Sequence, residues 1–171
     1  YTSMLEQTVR ELQGGKEQEQ VPATQLNLGL NLRIPDSYIT QENQRLRMYK
    51  RIASVESLSM VNDIRAELLD RYGPLPSPVK HLLAASELKI AAQNAGVQQL
   101  DRKGSQVTWK FSEAAKVDID KLMKFVAANR GAQFSPEGIL KYPLRTSAPD
   151  EVLESMRGLL LDLLPEEQQV A

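Results

Sequence analysis

The chain has 171 residues, of which 42% are hydrophobic and 25% charged, and its formal net charge is −1 at pH 7. This length and composition are typical of a globular protein with one domain or two small ones. The net charge near zero excludes a strong long-range electrostatic attraction of the whole chain to nucleic acid or to an anionic membrane. The chain has no cysteine, which excludes disulfides and thiolate metal sites and fits a cytoplasmic protein. No apolar run reaches the roughly 20 residues that span a bilayer, so from this sequence we expect neither a membrane span nor a signal peptide. Because Tyr1 stands directly at the start of a predicted helix, we expect a piece excised from a longer protein.

The first predicted elements are a helix and a long strand. Apolar residues at helical spacing predict a helix over 4–12, which Gly14 and Gly15 end. A polar loop over 13–25 follows. Five apolar residues then alternate with polar ones and predict a strand over 26–34 with one buried face: Leu26, Leu28, Leu30, Leu32 and Ile34.

Three helices are predicted next. The first is capped by Thr40 and runs to about Ala53. Three residues at helical spacing predict its inward face: Leu46, Tyr49 and Ala53. The second helix runs from about Glu56 to Tyr72 and stops at Gly73, and the third opens with Pro78 and runs to about Asn94.

The second half of the chain has the pattern of two hairpins and two helices. Strands over 97–101 and 106–111 flank a turn, with Val107, Trp109 and Phe111 on one face. A helix over 117–129 precedes a second hairpin of strands over 132–135 and 139–144. Six apolar residues predict the inward face of a final helix that Pro149 opens: Val152, Leu153, Met156, Leu159, Leu160 and Leu163.

Together these elements predict an α+β fold, with a mixed or antiparallel sheet of about five short strands packed with about six helices. We expect residues 1–171 to form a single domain, helix-rich over 1–96 and built of hairpins and helices over 97–171. The order of the strands is not encoded in the pattern.

The second helix separates an apolar face from an acidic one. With Val61 at zero and about 100° per residue, five apolar or aromatic residues lie within roughly 80° of it. These five are Leu58, Ile64, Leu68, Leu69 and Tyr72. Four acids lie between roughly 180° and 240° on the same wheel, with no base among them. These four are Glu56, Asp63, Glu67 and Asp70.

The acidic face has two interpretations. It can be a solvated surface that keeps the domain soluble, or a docking strip for a partner that carries arginines. Glu67 and Asp70 are three residues apart, so both can reach one partner surface. They could also form a general acid/base pair, but that needs a pocket with convergent polar groups. None is visible, and the lone His81 beside Leu82 is typical of a surface or boundary residue.

The helix before it is basic, with Arg45, Arg47, Lys50 and Arg51. These residues could contact phosphates, so a nucleic-acid-binding module using the helix over 45–51 is the alternative function. However, they spread around the helix instead of forming one stripe. Pairing with neighbouring acids, or solvation, is the prediction that fits their arrangement better.

Several segments together resemble a known family. In order they read YTSML, RIPDSYI, RLRMYKRIAS, ELLDRYGPLPSPVKHLL and LKIAAQNAGV, and they cover about residues 1–97. In content and spacing they resemble the C-terminal domain of bacterial transcription-repair coupling factors. Tyr72 stands where relatives often have Phe. Beyond residue 100 only the order of elements is similar.

The resemblance implies a non-catalytic regulatory domain of a bacterial, cytoplasmic protein. The parent protein is implied to be an ATP-dependent DNA translocase, using ATP and magnesium in other domains, that removes stalled RNA polymerase and recruits nucleotide excision repair through UvrA. The domain itself needs no cofactor or metal. It is implied to clamp the N-terminal UvrB-like module and mask the surface that UvrA binds. By position, Glu67 and Asp70 are the acids that pair with arginines of that module. Glu56 and Asp63 extend the same face by our own reasoning.

Overall fold

The computed structural model describes residues 23–165 and forms an α+β fold with five helices and five strands in that range. The strands are β1 (Gln25–Asn27), β2 (Val97–Lys103), β3 (Gln106–Phe111), β4 (Gln133–Ser135) and β5 (Ile139–Pro143). The helices are α1 (Glu42–Ala53), α2 (Leu58–Tyr72), α3 (Ser77–Ala95), α4 (Ile119–Ala128) and α5 (Pro149–Leu163). The predicted helix over 4–12 and the loop over 13–22 lie outside the described residues. Within residues 23–165, every helix is too short or too polar to cross a membrane.

The five strands form one mixed sheet in the order β1-β2-β3-β5-β4. Strand β1 is parallel to β2, and the remaining neighbours are antiparallel. Both predicted hairpins are confirmed. The β2–β3 loop has two residues, and Gly104 supplies its positive φ of 59° while Ser105 keeps a negative one. A type II′ turn requires this combination, and its twist matches that of the paired strands.

One face of the sheet packs on the helices and forms the larger of two cores. The predicted inward residues of β3, which include the fully buried Trp109, lie on this face. All six residues predicted for the inward face of α5 are buried. The periodicities of two in the strands and 3.6 in the helix therefore predicted this core correctly.

A second, smaller core lies between α1, α2 and the start of α3. Helix α3 serves both cores: Val79 and Leu83 pack in the smaller one, and Leu88 and Ala92 pack in the larger. This double use explains why α3 has no single apolar face. It also means that α2 is positioned on the sheet through α3.

A carboxylate of α3 ties α2 and α5 together. Glu87 Oε1 lies 2.5 Å from Arg65 Nη2 on α2, and Glu87 Oε2 lies 3.1 Å from Arg157 Nη1 on α5. The Glu87 side chain is only 15% exposed. The guanidinium groups of Arg65 and Arg157 thus compensate the charge of one mostly buried carboxylate. They connect α2, which packs in the smaller core, with α5, which packs in the larger one.

The predicted strand over 26–34 is wrong in length, since only Gln25–Asn27 pairs as β1. The Leu28 carbonyl accepts a hydrogen bond of 2.8 Å from Arg102 Nε, so a side chain satisfies the backbone where the ladder would continue. The apolar alternation still predicts burial at two positions, because Leu28 and Ile34 are buried although they are not in a strand. Residues 28–34 carry the chain from the sheet to the smaller core.

The predicted inward face of α1 is also wrong. Met48 and Ile52 are buried, whereas Leu46 is 53% exposed and Ala53 is exposed. Tyr49 is half-buried, and its hydroxyl accepts a hydrogen bond of 2.5 Å from the Ile34 N–H. The helix begins at Glu42 with Gln41, not Thr40, at its N-cap.

Candidate protein-docking surface

The orientation of α2 is set by its cap and by three buried residues. Ser57 Oγ accepts a hydrogen bond of 3.2 Å from the Met60 N–H, which starts the helix two residues later than predicted. Three residues point into the smaller core: Val61, Ile64 and Leu68. Leu58 and Leu69, predicted as core, are exposed, and the side chain of Leu69 is 54% accessible. The buried face is therefore narrower than the predicted one.

Glu56 does not belong to the helical acidic face, because it precedes the N-cap of α2. It is exposed and lies at the rim where two apolar grooves, each of about 420 Å³, approach one another at Ile90. The acidic face of α2 thus consists of Asp63, Glu67 and Asp70. Asp63 and Asp70 are seven residues apart, which places them two turns, roughly 10 Å, from one another along the helix.

Glu67 is already paired within the domain. Its Oε2 atom lies 2.7 Å from Arg51 Nη1 of α1 and 3.2 Å from Arg71 Nη1, one turn further along α2. The hydrogen bond from Arg51 is the main reason why the pKa of Glu67 lies below its usual range, although partial burial opposes it. Glu67 is therefore an ionised acceptor at neutral pH and is poorly suited to donate a proton.

Asp63 and Asp70 have a different environment. Both are exposed, and neither forms an ion pair or a side-chain hydrogen bond with any residue in 23–165. Asp70 therefore presents both carboxylate oxygens to solvent next to the ion-paired Glu67. The two acids singled out by the resemblance share one surface but differ in how far their charge is compensated.

Sequence reasoning did not assign the two neighbouring arginines, Arg51 and Arg71, to Glu67. Arg71 could have been found, because a Glu and an Arg four residues apart on a helix face one another. The Arg71 guanidinium also lies 5.1 Å from the centre of the Tyr72 ring, a cation–π contact that fixes its position. Arg51 could not be assigned to Glu67 from the sequence, because its approach depends on how α1 packs against α2.

The basic helix α1 is partly occupied by these internal contacts. Arg51 binds Glu67, and Arg45 Nη1 donates to the Ile39 carbonyl at 2.9 Å. Pairing with a neighbouring acid is thus confirmed for Arg51. Arg47 and Lys50 remain exposed, and neither forms an ion pair within the described part of the chain. Two scattered cations are a small patch for phosphate binding.

The described residues contain no group of three or more acids and histidines placed to hold a metal ion. His81 lies half-buried on α3 between the exposed Lys80 and the half-buried Leu82. Glu67 and Asp70 lie on an outward face of α2, and neither lines the two grooves near Glu56. This arrangement suits recognition of a basic surface better than acid–base chemistry.

The ion pairs of Glu67 predict a small pH dependence of stability. The folded-state pKa of Glu67 is lowered, so the stabilisation is present above the unfolded-state pKa and is lost as the pH falls through the folded one. Because the group is partly solvated, Glu67→Gln should lower the free energy of unfolding by at most about 1 kcal/mol at pH 7. Urea titrations at pH 7 and pH 3 measure the free energy of unfolding of both proteins. The difference between the variant and the unsubstituted protein should be smaller at pH 3 than at pH 7. Asp63→Asn is the control, because it removes an acid of the same helix that forms no ion pair within residues 23–165. An equal effect would contradict the prediction.

The fold and the site define the chain as an α+β domain whose candidate site is a charged helix surface. The TRCF domain family matches residues 28–122, more than half of the chain, so the chain belongs to the transcription-repair coupling factor family. A crystal structure of the C-terminal domain of transcription-repair coupling factor has a similar fold, with a TM-score of 0.72 and 22% identity. The similarity covers 83% of this chain and 92% of that one.

Relatives named transcription-repair-coupling factor share the sequence at moderate identity. The protein from Bacillus subtilis (strain 168) is 28% identical over 169 residues, which is 95% of this chain. The protein from Haemophilus influenzae is 33% identical over 130 residues, or 74% of this chain, and that from Staphylococcus haemolyticus is 37% identical over 116 residues, or 67%. The matched regions are 14%, 11% and 10% of these relatives, so the chain corresponds to a small part of each.

Proposed function

We propose that this domain is a non-catalytic regulatory clamp of a transcription-repair coupling factor. It docks through the outer face of α2 on the N-terminal UvrB-like module of the same protein and masks the surface that UvrA binds. Glu67 and Asp70 pair with arginines of that module, and Asp63 extends the contact along the helix. The single observation that carries the proposal is the position of Glu67 and Asp70 on one accessible helix face, where Asp70 forms no ion pair or side-chain hydrogen bond with any residue of 23–165.

The parent protein in this proposal is a bacterial, cytoplasmic ATP-dependent DNA translocase. It removes stalled RNA polymerase and recruits nucleotide excision repair through UvrA. The motor and its ATP and magnesium belong to other domains of the parent. This domain controls when the UvrA-binding surface becomes accessible.

A polar docking face fits a clamp that has to open. Each solvent-rimmed ion pair contributes only about 0–1 kcal/mol. A few such pairs can still hold the closed state, because both partners belong to one chain and their effective concentration is high. A modest rearrangement by the motor then shifts the equilibrium toward the open state. An apolar interface of the same size would open far less readily.

Reversal of both acids tests the proposal. In the full-length coupling factor, Glu67→Lys with Asp70→Lys places like charges opposite the arginines and should open the clamp. We expect apparent UvrA affinity to rise by about tenfold or more, which corresponds to ~1.4 kcal/mol. Basal ATPase activity should rise with it. UvrA binding is measured by titration calorimetry or interferometry, and ATPase activity by phosphate release.

A matched control keeps the charge change and moves it away from α2. Glu154→Lys with Asp162→Lys reverses two exposed acids of α5 that form no ion pair among the described residues. This variant should leave UvrA binding and ATPase activity unchanged. If the α2 variant keeps its far-ultraviolet circular dichroism and also changes neither property, the clamp proposal is wrong. Steep salt-dependent DNA binding by this domain, lost on Arg47→Gln and Lys50→Gln, would instead support the nucleic-acid alternative.

A further inference from the structure

We propose that Arg51 of α1 is an internal competitor for Glu67 that weakens docking of the clamp and leaves Asp70 as its principal acid. This inference rests on the proposed function and concerns the regulation of the same surface. An arginine of this domain would then occupy the position that an arginine of the UvrB-like module takes in the closed state. The strength of the clamp would be set inside the domain as well as across the interface.

The geometry around Glu67 shows why its contribution is limited. Both Arg51 and Arg71 contact the same carboxylate oxygen, Oε2, at 2.7 and 3.2 Å. A bidentate contact with an incoming guanidinium needs both oxygens of the carboxylate. The partner can therefore bind Glu67 bidentately only after both arginines release Oε2. Without that release it gains a single contact at Oε1, close to two positive charges.

Asp70 can bind a partner without first displacing an arginine of the described residues. Its carboxylate is exposed and forms no ion pair with any residue of the described chain, so an incoming arginine can engage both oxygens. It is three residues from Glu67 and thus lies on the same surface. The two acids should therefore contribute unequally, with Asp70 dominant, although the resemblance assigns them the same role.

Arg51 is the decisive competitor of the two arginines. Its contact with Glu67 is the shorter one, and it comes from a different helix, so it is not an automatic consequence of helical spacing. Arg71 is held additionally over the Tyr72 ring. A guanidinium that lies directly on the docking face also repels the arginines of the partner over a range of about 8–10 Å at moderate salt. Removal of Arg51 should relieve both effects.

The test compares two single-charge variants of α1 in the full-length coupling factor. Arg51→Gln removes the competitor, and Arg47→Gln removes an exposed arginine of the same helix that forms no ion pair in the described residues. Arg51→Gln should tighten the clamp and lower apparent UvrA affinity about two- to fivefold, the range of one exposed ion pair. Arg47→Gln should change it by less. Basal ATPase activity should fall with UvrA affinity in Arg51→Gln alone.

Variants of the two acids form the second part of the test, and they distinguish the clamp proposal from the competitor proposal. Asp70→Asn should raise UvrA affinity more than Glu67→Gln does. In the Glu67→Gln background, Arg51→Gln should keep only the part of its advantage over Arg47→Gln that comes from charge repulsion, because there is no carboxylate left to compete for. A merely structural role of Arg51 would not produce this pattern.

Each remaining outcome decides one of the proposals. If neither Asp70→Asn nor Glu67→Gln alters UvrA affinity, the clamp itself is refuted. If Asp70→Asn raises UvrA affinity but Arg51→Gln behaves like Arg47→Gln, the clamp stands and the competitor is refuted. Arg51→Met, which keeps most of the aliphatic length, repeats the measurement if Arg51→Gln alters the circular dichroism.

Discussion

Substitution of Trp109 by alanine should lower the free energy of unfolding by about 3–5 kcal/mol. Trp109 is fully buried on β3, and its ring centre lies 5.9 Å from that of Phe111 and 6.5 Å from that of Tyr142. The indole Nε1 donates a hydrogen bond of 3.0 Å to the Tyr142 hydroxyl. Truncation removes the largest side chain of the sheet core and leaves a cavity that neighbouring strands cannot fill. Urea unfolding followed by circular dichroism measures the loss.

Tyr142→Phe separates the polar part of this effect from the packing part. The ring stays, but the buried indole N–H loses its acceptor, so we expect a loss of about 1–3 kcal/mol. Burial raises the pKa of the Tyr142 phenol, so the hydroxyl stays neutral and available as an acceptor. Thr108→Ala, on the opposite face of β3, should have little effect.

A loss below about 1 kcal/mol in the free energy of unfolding of Trp109→Ala would contradict the first prediction, because it would show that the sheet collapses around the missing ring.

The second half of the chain was predictable because its signals are local. Alternation over 106–111, the glycine turns and the apolar periodicity of α5 each depend on residues that are close in the sequence. The structure confirms these elements and the faces they bury. The order of the strands was not predictable, because the parallel pairing of β1 with β2 joins segments about seventy residues apart.

The first half shows where local patterns fail. Helix α1 packs with Met48 and Ile52 in the smaller core, and it forms two hydrogen bonds to the segment before it: Tyr49 accepts from the Ile34 N–H, and Arg45 donates to the Ile39 carbonyl. In this orientation Leu46 lies in solvent. Similarly, β1 does not continue past Leu28, because Gly29 leaves the extended conformation with a φ of 66°. The Leu28 carbonyl accepts from Arg102 instead. In both places the apolar spacing alone does not predict which residues are buried or paired.

The same limit of local patterns applies to the acidic face of α2, whose role in docking stays a prediction. A helical wheel places Asp63, Glu67 and Asp70 on one side of α2, and the structure keeps them there. The wheel treats one helix alone, so it could not show that Arg51 of α1 reaches Glu67. The two acids therefore differ: Arg51 compensates the charge of Glu67, whereas Asp70 forms no ion pair within residues 23–165. The wheel also placed Glu56 on a helix that begins two residues after it.

Substitution of Gly96 by alanine is the second change with a large expected effect. Gly96 caps α3 with φ +87° and ψ 22°, where an L-residue costs about 1–2 kcal/mol. A β-carbon there would lie 2.6 Å from Ala115 Cα and 3.1 Å from Ala115 N. Overpacking against backbone adds about 1–3 kcal/mol. We expect a total loss of about 2–5 kcal/mol in urea unfolding.

The backbone that meets the new β-carbon cannot retreat easily. The Ser112 N–H donates to the Gly96 carbonyl at 2.9 Å, and the Lys116 N–H donates to the Ala95 carbonyl at 2.8 Å. Both bonds tie the segment over 112–116 to the end of α3, which serves both cores. Displacement of Ala115 would therefore strain the junction through which α2 and its acidic face are positioned on the sheet.

Gly96→Asn distinguishes the cost of the left-handed backbone conformation from the cost of the clash between the β-carbon and Ala115. Asparagine tolerates the left-handed conformation better than alanine, but it carries the same β-carbon. If the clash with Ala115 dominates, Gly96→Asn should be at least as destabilising as Gly96→Ala. Recovery of more than about 1 kcal/mol by asparagine would show that the backbone conformation is the main cost and that the segment over 112–116 can shift. Because α3 joins the two cores, we expect either variant to lower the stability of both in a single cooperative transition.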